Sequence, residues 1–323
     1  MIVVTGAAGF IGSCLVAKLN ELGHNDLIVV DHYEDVSDPK TKNLVGRKYV
    51  RYFDKAEYLK LLRRDAFDYD VSHIFHMGAC SSTTLQDEDY FKKNNFEYSC
   101  EVAKWALKYN ARLIYASSAA TYGDGQYGYS DDDSLTPQLK PLNLYGLSKQ
   151  KFDLWVLNQG YQASMVGLKF FNVFGPNEYH KGDMRSLVAK AYDGVVIEGK
   201  MKLFKSYKKE YRDGEQKRDF IYVKDALDVM IFLMQHPQVN GIFNLGTGQA
   251  HTWNNLAHTL FAAVGKKPFI EYIDMPETLR PRYQYFTQAD MSKLRAAGYQ
   301  RSFSSLKTAV ADYCQYLRSK TYL

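Results

Sequence analysis

The sequence has little cysteine and no paired cysteine motif. Its four cysteines, at positions 14, 80, 100 and 314, are scattered over 323 residues without a Cys-x-x-Cys spacing. This scarcity argues against a disulfide framework and a structural zinc site, and it fits a reducing compartment. The eight histidines show no His-Glu-x-x-His or comparable ligand spacing, so we expect no metal site.

A long apolar run is also missing. The most apolar stretch, around residues 226–234, is interrupted by Asp228. It is far shorter than the roughly 20 residues that a membrane-spanning helix needs. Met1 leads straight into Ile2, without the basic segment or small-residue cleavage site of a secretory signal. We therefore expect a cytoplasmic protein with no membrane partner.

Neither sign of charge is in large excess. The 41 basic and 36 acidic residues give a net charge of +5, too mild over this length to predict nucleic-acid binding. The basic region 200–217 also contains acidic residues and resembles no nucleic-acid-binding module, so we expect no nucleic-acid partner. A composition that is 46% hydrophobic and 24% charged excludes wholesale disorder.

The first half of the chain alternates short aliphatic runs with longer helical stretches. Such alternation predicts βαβ units and a parallel sheet covered on both faces, which is a Rossmann-type doubly wound α/β fold. Ligands of this fold bind at the carboxyl ends of the strands. The predicted strands are 2–5, 27–31, 72–76, 112–117 and 164–170, and the predicted helices are 11–22, 92–109 and 143–158.

The regular alternation fades after residue 171 and returns at 219–245. Within that return, 219–223 and 241–245 read as strands and 225–235 reads as a helix. The simplest division is a dinucleotide-binding domain of residues 1–172 plus 217–250. A smaller substrate lobe would then comprise residues 173–216 plus 251–323.

Three glycines, Gly6, Gly9 and Gly12, follow the first predicted strand and open the first helix. Glycine is needed where the backbone turns sharply, where a pyrophosphate comes close and where helix packs on strand. The N–H groups and the dipole of the helix then favour the phosphate charge. This strand–turn–helix context predicts dinucleotide binding.

Asp31 ends the second predicted strand, nineteen residues after Gly12. An acidic side chain at this place normally accepts a hydrogen bond from the 2′-hydroxyl of the ribose, which favours NAD. Several basic residues in the following loop point the other way, towards NADP, and from the residues alone the choice stays open. These basic residues are Lys40, Lys42, Arg47, Lys48 and Lys55.

Tyr145 and Lys149 lie four residues apart on the helix predicted at 143–158, and so project from one face. A free tyrosine has a pKa of about 10, and bringing it to about 7 takes on the order of 4 kcal/mol. An ammonium about 4 Å away supplies that much at an effective dielectric constant of about 20. The pair predicts a phenol of lowered pKa that takes a proton from a substrate alcohol, while Lys149 also holds the nicotinamide ribose.

Two serines, Ser117 and Ser118, follow the fourth predicted strand and should lie at its carboxyl end. A hydroxyl there can donate a hydrogen bond to the reacting oxygen. The alternative is that both serines only cap a turn.

Together these motifs resemble the extended short-chain dehydrogenase/reductase family of nucleotide-sugar epimerases and dehydratases. The resemblance runs nearly end to end and, within the family, is specifically to the ADP-L-glycero-D-manno-heptose 6-epimerases. It rests on segments 5–12, 78–84, 117–123, 145–149, 171–176, 180–182, 218–225, 244–248 and 282–290.

The resemblance implies a tightly held NADP, with NAD as the alternative. The residues at the family's cofactor positions, together with the three glycines, are Phe10, Ile11, Asp31, His32, Lys40, Lys55, Met77, Gly78, Ala79, Cys80, Ser81, Asn94, Lys149, Val173 and Lys181. Met77 replaces a glutamate that is usual there.

The resemblance also implies a second acid/base group, Lys181, in a His-Lys-Gly segment. Family substrate contacts fall on Asn172, Phe204, Arg218 and Tyr283, with Ser118 beside the reacting oxygen. Arg218 could instead form a structural ion pair with Asp219. At five further substrate positions the sequence departs from the family, and these residues are Asp183, Lys190, Lys205, Ser206 and Tyr207.

The implied reaction is inversion of C6 of ADP-D-glycero-D-manno-heptose, with Tyr145 and Lys181 acting on opposite faces of a 6-keto intermediate. The resemblance implies that this reaction supplies heptose for lipopolysaccharide cores and that the protein assembles as a homopentamer. Two alternatives are a 4-epimerase or dehydratase of another nucleotide-hexose and a non-catalytic NADP sensor. The retention of Tyr145, Lys149 and Lys181 argues against the sensor.

Overall fold

The computed structural model describes residues 1–33, 35 and 37–323, with only the backbone described at 282. The described residues form three β-sheets. The strands are β1 Ile2–Thr5, β2 Leu27–Asp31, β3 Arg51–Asp54, β4 His73–His76, β5 Arg112–Ser118, β6 Val166–Phe170, β7 Asn172–Phe174, β8 Met201–Phe204, β9 Lys217–Tyr222, β10 Gly241–Leu245, β11 Ala250–Thr252 and β12 Ile270–Ile273.

The main layer is a seven-stranded sheet in the order β10-β6-β5-β4-β1-β2-β3. Every neighbouring pair in it is parallel. The carboxyl ends of β1, β4 and β5 therefore meet at one edge, where Thr5, His76 and Ser118 lie. This is the doubly wound α/β fold that the alternation in the sequence predicts.

The helices of the described chain cover both faces of the main sheet and also pack against one another and against the smaller sheets. They are α1 Phe10–Glu21, α2 Lys55–Arg63, α3 Glu88–Phe91, α4 Tyr98–Lys108, α5 Leu144–Asn158, α6 Leu187–Asp193, α7 Val223–Gln235, α8 Trp253–Ala263, α9 Ser292–Ala296 and α10 Leu306–Ser319. The helix predicted at 92–109 begins instead with a wide π-type segment, Lys92–Glu97, which runs between α3 and α4.

The core explains why the strands are apolar throughout. Successive side chains of a strand point to opposite faces, and both faces of this sheet are covered. In β1, Val3 packs into one cluster with Ile28 and Ile74. Its neighbours Ile2 and Val4 pack into a second cluster on the other face. Each face is therefore sealed, and a ligand has access only at the strand ends.

Two smaller sheets come from the remaining segments. One has the order β11-β9-β7, with β7 parallel and β11 antiparallel to β9, and the other pairs β8 with β12 in parallel. The two-unit division of the chain stays a prediction. None of the helices that the structure describes combines the length and apolar composition needed to cross a bilayer.

Candidate active site

The glycine turn between β1 and α1 packs too closely for side chains. Gly6 has a φ of +65°, and a Cβ there would lie 2.6 Å from the Cα of Gly78. A Cβ on Gly12 would lie 2.1 Å from the carbonyl oxygen of Gly6. Gly9 precedes α1, whose first turn holds no acidic side chain and, in the described chain, no side-chain cap. The turn therefore fits the close approach of a diphosphate to the helix N-terminus.

Asp31 lies at the end of β2, against this turn. Its Oδ2 accepts a hydrogen bond from the N–H of Ala8 at 2.7 Å, and its Oδ1 accepts one from the N–H of His32 at 2.7 Å. The Nζ of Lys40 lies 3.2 Å from the same Oδ1 and 5.8 Å from the ring centroid of Tyr33. Lys40 therefore balances the carboxylate charge at the corner where the sequence places the cofactor ribose.

The segment Met77–Ser81 follows β4 and faces the glycine turn. Asn95 holds it at Cys80, donating to the carbonyl at 2.9 Å and accepting from the N–H at 2.8 Å. The same amide donates to the hydroxyl of Ser148 at 2.9 Å, which ties the segment to α5. Beside it, the Nζ of Lys55 donates to Asn94 Oδ1 at 3.2 Å. Residues 77–81, which the sequence predicts to contact the cofactor, are thus fastened to the helix that carries Tyr145.

Helix α5 presents Tyr145 and Lys149 at the carboxyl edge of the sheet. Asn143 caps the helix by accepting from the N–H of Gly146 at 2.8 Å. A Cβ on Gly146 would lie 2.7 Å from the carbonyl oxygen of Ala120, so the helix packs closely on the turn after β5. Lys149 is buried, and its Nζ donates to the carbonyl oxygen of Ala116 at 2.6 Å. Burial lowers the pKa of Lys149 to about 8.

The pKa of Tyr145 moves opposite to the direction that the sequence predicts. Burial raises the pKa of the phenol, and a hydrogen bond with Ser118 acts the other way. The ammonium of Lys149 is held by the strand carbonyl of Ala116. The surrounding protein therefore keeps the phenol protonated, and further positive charge is needed to make it a base.

The two serines after β5 have different environments. Ser117 donates to the buried carboxylate of Asp153 at 2.6 Å, and Asp153 pairs with Lys169 at 2.9 Å beneath the helix. Ser118 accepts from the N–H of Ala120 at 3.1 Å and shares a hydrogen bond with Tyr145. Ser118 therefore both caps a turn and lies beside the phenol, while Ser117 is structural.

Lys181 lies on a short 3-10 segment, Tyr179–Met184, which packs near the start of α1. Its Nζ is 5.3 Å from the ring centroid of Phe10. Burial lowers the pKa of this lysine, and the nearby carboxylate of Glu178 partly opposes that effect. A lysine of lowered pKa is the kind that can exchange a proton at neutral pH. Asn172 is exposed and Val173 is partly buried on β7.

Arg218 lies in a pocket of aromatic rings. It is 5% exposed, and its guanidinium donates to the carbonyl oxygen of Lys217 at 2.8 Å and to that of Gln284. Its guanidinium carbon lies 5.2 Å from the ring centroid of Tyr283 and 5.7 Å from that of Trp253. Within the described residues no carboxylate pairs with it. A buried cation without a counterion is suited to binding an anion.

The ion pair between Arg218 and Asp219 is not formed. Neighbouring residues of a strand point to opposite faces, and Asp219 accepts from the N–H groups of Thr247, Gly248 and Ala289 at 2.8, 2.9 and 3.0 Å. Asp219 therefore organises the loops behind β9, and the guanidinium stays in the aromatic pocket.

The departures from the family are mostly engaged in surface contacts. Lys205 and Tyr207 both donate to the exposed Asp274, at 3.1 and 3.0 Å. Lys190 is exposed, and its Nζ donates to the carbonyl oxygen of Asp183 at 3.3 Å. Ser206 donates to the carbonyl oxygen of Lys208 at 3.0 Å, and Phe204 meets Tyr283 edge-on at 6.5 Å. Their roles as substrate contacts stay predictions.

Several buried polar residues around the site were not singled out from the sequence. Asn95 binds the backbone of Cys80, and Asn43 binds the backbone of Ala8. Asp153 binds Ser117 and Lys169. Asp153 lies four residues after Lys149, on the same helical face, so this spacing could have predicted that Asp153 lies near the site. No comparable local signal marks Asn43.

The fold and the site define a Rossmann-type enzyme of nicotinamide dinucleotide chemistry. They combine a parallel sheet, a glycine turn at the N-terminus of α1 and, beside that turn, the helix that carries Tyr145 and Lys149. The chain belongs to the NAD dependent epimerase/dehydratase family, whose family model matches residues 2–246.

Similar proteins narrow the class. The chain is 52% identical over 318 residues to an ADP-L-glycero-D-manno-heptose-6-epimerase of Nitratidesulfovibrio vulgaris, covering 98% of both chains. It is 44% identical to a protein of that name from Fusobacterium nucleatum, covering 98% of this chain and 97% of that one. A crystal structure of the Helicobacter pylori ADP-L-glycero-D-manno-heptose-6-epimerase superposes with a TM-score of 0.83 at 29% identity, covering 98% of this chain and 96% of the other. The resemblance seen in the sequence is confirmed.

Proposed function

We propose that this protein inverts C6 of ADP-D-glycero-D-manno-heptose to give ADP-L-glycero-D-manno-heptose, as a step in making the heptose of lipopolysaccharide cores. The similar proteins named above support the substrate. The structural observation that carries the proposal is the presence of two lysines of lowered pKa near one glycine turn, the buried Lys149 and the partly buried Lys181.

The residues fit a dinucleotide, because the turn is so close-packed that a Cβ on Gly6 or Gly12 would clash with the backbone, which leaves the helix N-terminus open to a diphosphate. Gly6, Gly9 and Gly12 would hold its diphosphate, Lys149 its nicotinamide ribose, and Asp31 with Lys40 its adenosine ribose. A bound oxidised nicotinamide would supply a reversible hydride acceptor for C6 and the positive charge that Tyr145 needs to act as a base.

The chain's own groups move the proton. Tyr145 takes the proton of the C6 hydroxyl, and Ser118 holds the same oxygen by a hydrogen bond. Lys149 is cationic when the pH is below its pKa of about 8, and its charge then stabilises the phenolate. After the 6-keto sugar turns over in the pocket, Lys181 returns a proton to the oxygen from the other side. Two groups are needed because each epimer points its hydroxyl at a different wall.

We infer that the cofactor is NADP, with NAD as the alternative. Both oxygens of Asp31 already accept backbone hydrogen bonds, and Lys40 lies 3.2 Å from one of them. The ammonium of Lys40 at this corner suits a 2′-phosphate. Mass spectrometry of the dinucleotide released from purified protein tests this: NADP supports the inference and NAD overturns it.

The ADP end of the substrate requires a cation and an aromatic wall. Arg218 can bind a phosphate through two parallel N–H groups, and Tyr283 lies against it. We infer that Phe204, Asn172 and the segment Asp183–Lys190 complete the sugar pocket.

The differences at Asp183, Lys190 and 205–207 favour one other candidate, a 4-epimerase or dehydratase of another nucleotide-hexose. Incubation of the protein, without added cofactor, with ADP-D-glycero-D-manno-heptose and separately with UDP-glucose decides between them by NMR of the sugar. Conversion of the heptose alone supports the proposal, and conversion of the UDP-sugar alone contradicts it.

A cytoplasmic location and a homopentamer are further parts of the proposal. Cys14, Cys100 and Cys314 are buried as free thiols, which suits a reducing compartment. Light scattering of the purified protein tests the assembly: a mass of about five 37.1 kDa chains is expected, and a monomer would contradict it.

A further inference from the structure

Asn43 is a fully buried side chain between the glycine turn and the segment that carries Lys181. Its Nδ2 donates to the carbonyl oxygen of Ala8 at 2.8 Å and to that of Asn177 at 3.2 Å. The same nitrogen lies 3.2 Å from the Nδ1 of His180. Two of the three partners are carbonyl oxygens, which only accept, so the orientation of the amide is fixed.

The carbonyl oxygen of Asn43 has no hydrogen-bond partner among the described residues. A buried acceptor left in this way destabilises a fold, and natural proteins keep such a group mainly where something else requires it. Here the amide is kept for its NH₂ group, whose two hydrogens are shared among three acceptors.

The three contacts join elements that are far apart in the chain. Ala8 belongs to the glycine turn, whereas Asn177 and His180 flank the turn that leads to Lys181. The Nζ of Lys181 in turn rests on Phe10, at the start of α1. Without Asn43, the segment would still meet α1 through the hydrogen bond from Asn177 to Ser13 at 3.0 Å, but His180, next to Lys181, would lose its tie to the glycine turn.

Asn43 also shares its short segment, Pro39–Leu44, with Lys40. Side chains three residues apart on a 3-10 helix lie on the same side. Lys40 contacts Asp31 at the adenosine-ribose corner, and Asn43 contacts the Lys181 segment. One short segment therefore contacts both Asp31 and the Lys181 segment.

We propose that Asn43 is a positioning residue that holds Lys181 in place against the dinucleotide turn. The proposal deepens the function given above and rests on it for the role of Lys181, but the contact itself can be tested without substrate. Its loss loosens the part of the segment around His180, so Lys181 becomes more exposed to solvent, while Asn177 and Glu178 stay held by Ser13 and Tyr313.

The experiment compares acetic anhydride labelling of individual lysines, by mass spectrometry, in the full-length protein and its Asn43→Ala variant. We expect Lys181 to react about fivefold faster or more in the variant, because local opening sets its exposure. Lys149 and Lys169, which are 5% and 1% exposed, should react at unchanged rates and report that the fold is intact.

The matched control is Asn244→Ala, which removes another fully buried asparagine that binds two carbonyl oxygens, those of Tyr129 and Asp290. It should leave the labelling of Lys181 unchanged. A Lys181 rate within twofold of the parent protein in Asn43→Ala, or an equal rise in both variants, would overturn the proposal.

If Asn43→Ala opens the whole core, so that Lys169 is labelled too, Asn43→Ser replaces it, with about a threefold rise expected at Lys181 alone. Activity measurements distinguish the positioning contact of Asn43 from the acid/base role of Lys181. A selective rise at Lys181, combined with full activity of Lys181→Met, supports the positioning contact and overturns the acid/base role of Lys181.

Discussion

The Nζ of Lys149 donates a hydrogen bond to the carbonyl oxygen of Ala116 at 2.6 Å. Ala116 lies on β5, two residues before Ser118, which is hydrogen-bonded to Tyr145. The strand that positions Ser118 therefore also positions the lysine. This arrangement couples the three side chains, and their joint behaviour can be measured.

The first prediction concerns pH. Burial lowers the pKa of Lys149 to about 8, so its ammonium is present below that pH and is lost as the pH rises through it. We expect kcat/KM to fall on the alkaline side with an apparent pKa near that value. Lys149→Arg should be slower but should lack this decline, since a guanidinium stays charged.

The control for the pH profile is Lys151→Arg, an exposed lysine on the same helix, which should leave the profile unchanged. An alkaline decline that persists unshifted in Lys149→Arg would show that another group is responsible.

The second prediction concerns the two acid/base groups. Tyr145→Phe and Lys181→Met should each reduce kcat by about 10²- to 10⁴-fold, because each removes one positioned proton carrier. Both variants should still retain the bound dinucleotide, measured by its absorbance after release. Tyr161→Phe, on the short turn that follows α5 and against Trp155, should keep full activity. Near-full activity of Lys181→Met would contradict a mechanism with two such groups.

The third prediction concerns substrate binding at Arg218. Arg218→Lys keeps the charge but loses the paired N–H groups, so KM for the ADP-sugar should rise about tenfold or more, with a smaller effect on kcat. Arg112→Lys is the matched control, since Arg112 also binds backbone carbonyls, those of Leu233 and Val239. An unchanged KM in Arg218→Lys would make this arginine structural.

The fourth prediction concerns the glycine turn. Gly6→Ala places a methyl group 2.6 Å from the Cα of Gly78 at a φ of +65°, whereas Gly46→Ala at +74° meets nothing within 4 Å. Both changes carry the cost of a left-handed backbone, about 1–2 kcal/mol. Only Gly6→Ala should also lose the bound dinucleotide. Equal retention in both variants would show that the close contact is not needed for binding.

The dinucleotide half of the fold could be predicted from the sequence because its signals are local. The glycine spacing, the aliphatic runs at 2–5 and 27–31 and the apolar face of 143–158 each depend on neighbouring residues, and β1, β2 and α5 lie there. Strand β3 was missed, because Arg51 and Tyr52 interrupt its apolar pattern and Arg51 is exposed. The resemblance to heptose epimerases, carried by longer motifs, is confirmed by the similar proteins.

The polar network of the site could not be predicted in this way. Asn43 binds Asn177, 134 residues away in the chain, and Asp153 is buried against Tyr115 and Lys169. Such partners depend on the tertiary fold. The pKa of Tyr145 has the same cause: the sequence shows the nearby lysine, but it does not show the burial that raises the pKa of the phenol. The individual cofactor and substrate contacts stay predictions.

The central claim is that C6 is transiently oxidised by a dinucleotide that stays bound. The most direct measurement follows ADP-D-glycero-D-manno-heptose carrying deuterium at C6 through the reaction in ordinary water. The deuterium should remain at C6 of the L-glycero product, in protein given no added cofactor. Replacement of that deuterium by hydrogen from water would contradict the account, because it would mean that a proton, and not a hydride, leaves the carbon.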